Sequence, residues 1–182
     1  MIYVLLADGF EEIEAIAPID VMRRGGLNVA TAGVGKKDIT GSHSITITAD
    51  MSVDEINTED VEGIILPGGM PGTLNLQKNE KVIELVRYCY ENEILLAAIC
   101  AAPMILGELG ILDGKEAVCF PGFEEHLKGA KYCDCSVVVF DNVITAKGAG
   151  AALELGSAIV DYFSGDNGKG DESLTQMQYP FV

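Results

Sequence analysis

Basic residues are scarce in this chain of 182 residues: 12 Lys and Arg stand against 28 Asp and Glu, for a formal charge of −16. Such a surface repels phosphate backbones and anionic bilayers, so neither nucleic acid nor a membrane is an expected partner. It says nothing positive about substrate, because a solvated acidic surface mainly serves solubility. No apolar run approaches the roughly 18–20 residues that span a bilayer. The opening MIYVLLADGFEEIEAIAP has no basic start and reaches acidic side chains at once, unlike a secretory leader. Cytoplasmic residence is the expectation. Histidine is nearly absent: His43 and His126 both lie in polar segments, where an ordinary surface role is the simpler reading.

No repeat, linker or low-complexity block divides the chain. One domain is expected over residues 1–165, followed by a partly flexible tail over 166–182 whose last residues dock on the body. The five cysteines (Cys89, Cys100, Cys119, Cys133 and Cys135) are odd in number and irregularly spaced, which argues against a disulfide framework and for a reducing compartment. Cys119, His126, Cys133 and Cys135 match no standard zinc spacing, so no metal is expected.

What is present is alternation. IYVLLA (2–7) is a continuous apolar run, as in a strand buried on both faces, and residues 11–26 follow with helical spacing and end on glycines. NVATAG (28–33), GIIL within 62–69, ILLAAI (94–99), EAVCF (116–120), CSVVVF (135–140) and NVITAK (142–147) read as strands. SITIT (44–48) suggests a hairpin, and Ser52 with Glu55 forms a capping-box pattern for a short helix. Helices are expected over 79–93 with Asn79 as N-cap, over 102–110 and over 150–165. This order predicts an α/β fold: a doubly wound, mostly parallel sheet with helices on both faces.

In such sheets ligands bind beyond the carboxyl ends of the strands. The turns there are DGFEE, PGGMPG, CAAP and KGAG, and Cys100 opens the third. Small residues at Ala98 and Ala102 flank it as a nucleophile elbow requires, although hydrolases usually place glycine there. A thiol ahead of a helix feels its positive end, so a thiolate with a pKa below about 8.5 is expected if Cys100 is a nucleophile. The competing reading is inert packing, common for a cysteine in an apolar strand. The N–H groups of PGGMPG and of Ala101 are candidates for an oxyanion hole. On the first helix Phe10, Ile13, Ala17 and Val21 define a stripe expected to be buried. Glu14 falls on it, whereas Glu11 and Glu12 are expected to point elsewhere. A carboxyl there should have a raised pKa and serve as a general acid, unless it merely caps the first turn.

The motifs ADGFEEIEAIAPIDVMRRGG, ILPGGMPG, AAICAAP and AKGAG, in this order over about 150 residues, resemble the DJ-one branch of the ThiJ/PfpI superfamily. The resemblance implies a flavodoxin-like fold of the class I glutamine amidotransferase type, a nucleophile elbow and a homodimer. It implies a reactive cysteine at Cys100, an acidic partner at Glu14 and backbone donors at Gly69 and Ala101, with no cofactor. The implied activity is glutathione-independent conversion of a small reactive aldehyde, methylglyoxal or glyoxal, or repair of a glycated substrate. Redox sensing or chaperoning through oxidised Cys100 is the alternative, and a peptidase-like hydrolase a third reading. One position departs: several members carry histidine where this chain has Phe120, so a Cys–His triad is not implied. His126, six residues on, cannot be assumed to replace it, and His43 is a candidate for binding across the dimer interface.

Overall fold

The computed structural model describes residues 1–180. In chain order the elements are β1 (Ile2–Leu6), α1 (Glu12–Arg24), β2 (Val29–Gly33), β3 (Asp38–Thr40), β4 (Thr46–Thr48), β5 (Met51–Ser52), β6 (Gly63–Leu66), α2 (Gly72–Lys78) and α3 (Glu80–Glu91). There follow β7 (Leu95–Ile99), α4 (Pro103–Glu108), β8 (Glu116–Ala117), β9 (Lys131–Tyr132), β10 (Val137–Phe140), β11 (Val143–Ala146), α5 (Ala152–Ser164) and α6 (Lys169–Gln176).

Seven strands form the central sheet in the order β10-β11-β7-β6-β1-β2-β5. All neighbours are parallel except the edge pair β10–β11, joined through a turn in which Asp141 has φ 52°. This is the α/β architecture read from the sequence. Every residue of β1 is buried, and its side chains alternate between two cores. Tyr3 and Leu5 join Leu85, Val86 and Ile105 on one side, while Ile2, Val4 and Leu6 join Ile19, Met22 and Leu155 on the other. Burial on both faces explains the unbroken apolar run; each such side chain contributes about 2 kcal/mol. The β3–β4 hairpin stands off the sheet as a separate pair.

Local signals act as expected at several ends. Asn79 Oδ1 accepts the Val82 N–H at 3.0 Å, and Gly165 closes α5 in the left-handed region at φ 66°. Ser52 and Glu55 form their reciprocal box, on a single 3₁₀ turn. Two expectations need correction. The stripe proposed for α1 holds only in part: Phe10 and Val21 are buried, but Ile13 is 54% exposed, and the buried face also carries Glu14, Ala15, Pro18, Ile19 and Met22. The helix is apolar on two faces, since Ile16 is 45% exposed as well, so spacing alone could not select the inner one. Glu12 does point elsewhere than Glu14, and it is buried against the 41–45 loop. The strand expected over 116–120 is only two residues long, because Val118 N–H is taken by Thr145 Oγ1 at 3.0 Å and Phe120 N–H by Cys100 O at 2.8 Å. Within the expected tail, α6 packs against α5 and α1 through Gly170, Ser173 and Leu174, and residues 181–182 lie outside the described residues.

Candidate active site

The strand order reverses at β1: α1 carries the chain to β2 on one side, whereas β6 lies on the other. The loops after β1 and β6 therefore meet at the carboxyl edge, where a crevice is expected. They meet closely. Glu11 N–H donates to Gly68 O at 3.0 Å and Gly72 N–H to Gly9 O at 3.1 Å. A β-carbon on Gly69, which has φ 87°, would lie 2.5 Å from Glu11 N. One on Gly68 would lie 2.6 Å from both Cys100 Cβ and Glu14 Oε2. These two glycines are what let the backbone reach the cysteine.

Cys100 stands between β7 and α4 with φ 64°, a left-handed conformation that a side chain with a β-carbon adopts only under constraint. The constraint is visible: its N–H donates to Ala146 O at 2.9 Å and its carbonyl accepts from Phe120. The sharp turn lifts a partly exposed thiol above the sheet edge. The Gly69 and Ala101 N–H groups and the Glu14 carboxyl lie beside the sulfur and act on its ionisation. Glu14 is 1% exposed; its Oε2 accepts Gly68 N–H at 2.9 Å, and Ala149 N–H also donates to it. All four residues singled out in the sequence, Cys100, Glu14, Gly69 and Ala101, thus meet at one point. Gly68 and Ala149 complete the group. The glycine-rich PGGMPG and KGAG turns flagged their loops, but which N–H serves the carboxylate depends on the loop path.

Burial pushes Glu14 up to about 7, against the hydrogen bonds from Cys100, Gly68 and Ala149. Cys100 departs from its expectation. Burial first, and then the Glu14 charge beside it, push the thiol up to about 12, with the Gly69 and Ala101 N–H groups pulling the other way. α4, expected to favour the thiolate, begins three positions beyond Cys100, at Pro103. The pair therefore loses its protons in two steps. The first, near 7, falls on the Glu14 carboxyl and leaves its charge beside a protonated thiol. The second would place two anions in contact.

The other candidates lie elsewhere. His126 Nδ1 faces Glu108 Oε1 at 3.3 Å, at the end of α4 remote from Cys100. Phe120 occupies the position beside the cysteine turn and is 46% exposed. His43 is exposed and is tied to α1: Glu12 Oε1 accepts its N–H at 2.8 Å and its Nδ1 lies 3.0 Å from Glu12 Oε2. Burial works against ionisation of Glu12, but the His43 ring and the His43 and Ile45 N–H groups outweigh it and hold the carboxyl down to about 2. The bond to Glu12 raises His43 in turn. Among the described residues, the grouping whose ligating atoms fall within 4.8 Å is Glu11, Glu12 and His43, not the cysteines considered for zinc. Glu12 spends its oxygens clasping the 41–45 loop.

A model of the DJ-1/PfpI family matches residues 1–162. The chain belongs to that family. Over 184 residues it is 35% identical to the Parkinson disease protein 7 homolog of Danio rerio, covering 98% of this chain and 95% of that protein. It is 36% identical over 166 residues to protein DJ-1 homolog B of Arabidopsis thaliana, covering 90% of this chain. The chain spans only 38% and 42% of the two Arabidopsis homologs it matches. A deglycase of Thermococcus kodakarensis is 30% identical over 151 residues, with 82% and 90% of the two chains covered. Among solved structures, a cysteine-to-alanine mutant of a DJ-1 superfamily protein from Salmonella typhimurium superposes with a TM-score of 0.93 at 31% identity, covering 99% and 98%. No helix among the described residues of this DJ-1/PfpI member is long and apolar enough to cross a membrane.

Proposed function

We propose that the protein is a cysteine-dependent enzyme that converts α-oxoaldehydes to 2-hydroxy acids without glutathione, and acts as a deglycase on groups those aldehydes have modified. The observation that carries this reading is the juxtaposition of Cys100, on its left-handed turn, with the buried Glu14 carboxyl across Gly68, beside the Gly69 and Ala101 N–H groups at the open end of a parallel sheet. Three archaeal relatives named deglycases support it.

The attacking form carries the pair's one remaining proton on Glu14 and its charge on sulfur. The thiolate adds to the aldehyde carbon of R–CO–CHO; Glu14 gives its proton to the resulting oxygen, yielding the hemithioacetal R–CO–CH(OH)–S–Cys100. The Gly69 and Ala101 N–H groups steady that oxygen while it is negative. Glu14, now ionised, removes the C1 proton, and the electron pair moves onto the adjacent carbonyl; the C1 hydroxyl proton passes to the C2 oxygen, and Glu14 returns its proton at C2. C1 is oxidised and C2 reduced within one molecule, so no external redox partner is needed. The product is the thioester R–CH(OH)–CO–S–Cys100. Water cleaves it, releasing the 2-hydroxy acid and restoring the pair's proton. Incubating the wild-type protein with methylglyoxal in glutathione-free buffer should yield one lactate per aldehyde consumed, measured by NMR. Aldehyde loss without lactate would overturn the reading.

Redox sensing is the alternative reading. It draws on the same thiolate form of Cys100 as the aldehyde chemistry, since the thiolate oxidises first. A peptidase-like route lacks an imidazole: Phe120 stands beside the cysteine turn, and His126 is engaged at the far end of α4.

A homodimer formed through α1 and the β3–β4 region belongs to the same proposal. Ile13, Ile16 and Ile45 are 54%, 45% and 57% exposed on adjoining segments, and Ile45 N–H reaches Glu12 Oε1 at 3.4 Å. Large apolar side chains clustered this way mark a contact surface. Light scattering should give twice the chain mass of 19.3 kDa, and Ile13→Asp with Ile16→Asp should return it to the monomer value. A monomeric wild-type protein would end this part of the proposal.

A further inference from the structure

Beside the Cys100–Glu14 pair lies a recess of about 430 Å³, walled by Phe120, Pro121, Gly148, Ala149 and Ala151, with Lys147 at its rim. Its lining is mainly apolar carbon. Two of its walls adjoin the pair. Phe120 N–H donates to Cys100 O at 2.8 Å, and Gly148 lies beside Glu14. A β-carbon placed on Gly148 would lie 3.2 Å from Phe120 Cδ2 and 4.0 Å from Glu14 Oε1. The aromatic ring and the carboxyl therefore flank the same backbone unit. Phe120 leaves nearly half its surface in water, although it stands at the mouth of an apolar hollow. Lys147 Nζ is held by Asp134 Oδ1 at 2.6 Å, so its charge is already answered and does not call for an acidic guest.

Resting on the function proposed above, we infer that this recess is a substituent subsite. Phe120 selects α-oxoaldehydes whose R group is aromatic or bulky and apolar over those with hydrogen or methyl. An aryl group bonded to the ketone carbon would enter between Phe120 and Ala151 while the aldehyde carbon faces Cys100. There it loses water contact and stacks against a ring that is itself half wet. A histidine in place of Phe120 would present a polar edge to the same group, so the departure at this position is one of specificity rather than lost chemistry. Apolar pockets discriminate by roughly tenfold or more for modest changes in group size. The preference for phenylglyoxal over methylglyoxal should be of that order in kcat/KM.

The test compares wild type, Phe120→Ala and Phe120→Leu by two readouts. The first is kcat/KM for phenylglyoxal and for methylglyoxal. The second is the rate of Cys100 alkylation by 2-bromoacetophenone and by bromoacetone, located by peptide mass spectrometry and divided by each reagent's rate with N-acetylcysteine. Wild type should favour the phenyl compound by roughly tenfold in both. Phe120→Ala should bring the ratio to within about threefold of one in both readouts, and Phe120→Leu should retain most of the preference. No phenyl preference in wild type, as when a second chain seals the recess, would overturn the subsite, as would a preference that Phe120→Ala leaves intact. If neither aldehyde is turned over, the proposed enzyme activity fails. The alkylation ratio still decides the subsite on its own.

Discussion

Replacing Cys100 by alanine should reduce lactate formation from methylglyoxal to the uncatalysed background, a loss on the order of 10⁴-fold or more in kcat. The size follows from how the site is built. In the proposed mechanism the sulfur forms the covalent bond that turns a hydride-like rearrangement into two proton transfers, so its removal deletes the pathway. No other thiol can stand in. Cys89 and Cys119 are buried, and Cys133 and Cys135 follow β9, where their sulfurs meet the Lys131 and Val137 carbonyls. The fold should survive, because alanine keeps the β-carbon and loses only a partly exposed sulfur. The strained φ of 64° is the same for both residues. Cys100→Ser makes the sharper control: it keeps a hydroxyl where the thiol was, yet should fall nearly as far, since serine has no base able to ionise it here. Circular dichroism should overlay for all three proteins. Turnover by Cys100→Ala within a few-fold of wild type would remove the cysteine from the mechanism.

Much of this site could be read before the fold was seen, and the reasons are physical. β1 and β7 are buried on both faces and so appear as unbroken apolar runs. The close approach of backbones at Gly68 and Gly69 demands the glycines that flag their loop. Other features were hidden. In α1, Ile13 and Ile16 are as apolar as Ile19 and Met22, so periodicity could not say which side meets the sheet. α2 begins within a Gly- and Pro-rich stretch that reads as loop, and α6 buries too few apolar side chains to show a stripe. The Cys100 pKa is hidden for a different reason. A cysteine before a helix suggests a stabilised thiolate, but burial first, and then the charge of Glu14, 86 positions away in sequence, oppose it, and both enter only once the chain is folded.

Glu14→Gln should make the protein more stable and nearly inactive at once. The ordinary glutamate value is 4.5, and burial raises it to about 7 in the folded chain. Between those values the folded state holds a proton that the unfolded chain has released, so stability falls as pH rises. The whole penalty, about 3 kcal/mol, is present above pH 7 and absent below pH 4.5. Glutamine cannot ionise, yet its carbonyl can still accept the Gly68 and Ala149 N–H groups. Urea unfolding at pH 8 should therefore show the variant more stable by about 3 kcal/mol, and the two proteins should converge near pH 4. In catalysis the sign reverses. Wild-type Cys100 should alkylate faster as pH rises through about 7, while the pair gives up its first proton, and then level off. The Gln variant has no carboxylate to take the thiol proton, and burial still opposes the free thiolate. Its alkylation should rise only above the ordinary thiol value of 9.0, and lactate formation at neutral pH should drop by roughly 10²–10⁴-fold, as for loss of an acid–base group. Equal stability at pH 8, or an unmoved alkylation profile, would mean that Glu14 and Cys100 do not share their proton. The carboxyl would then be a buried structural group, and the charge on sulfur would need another source.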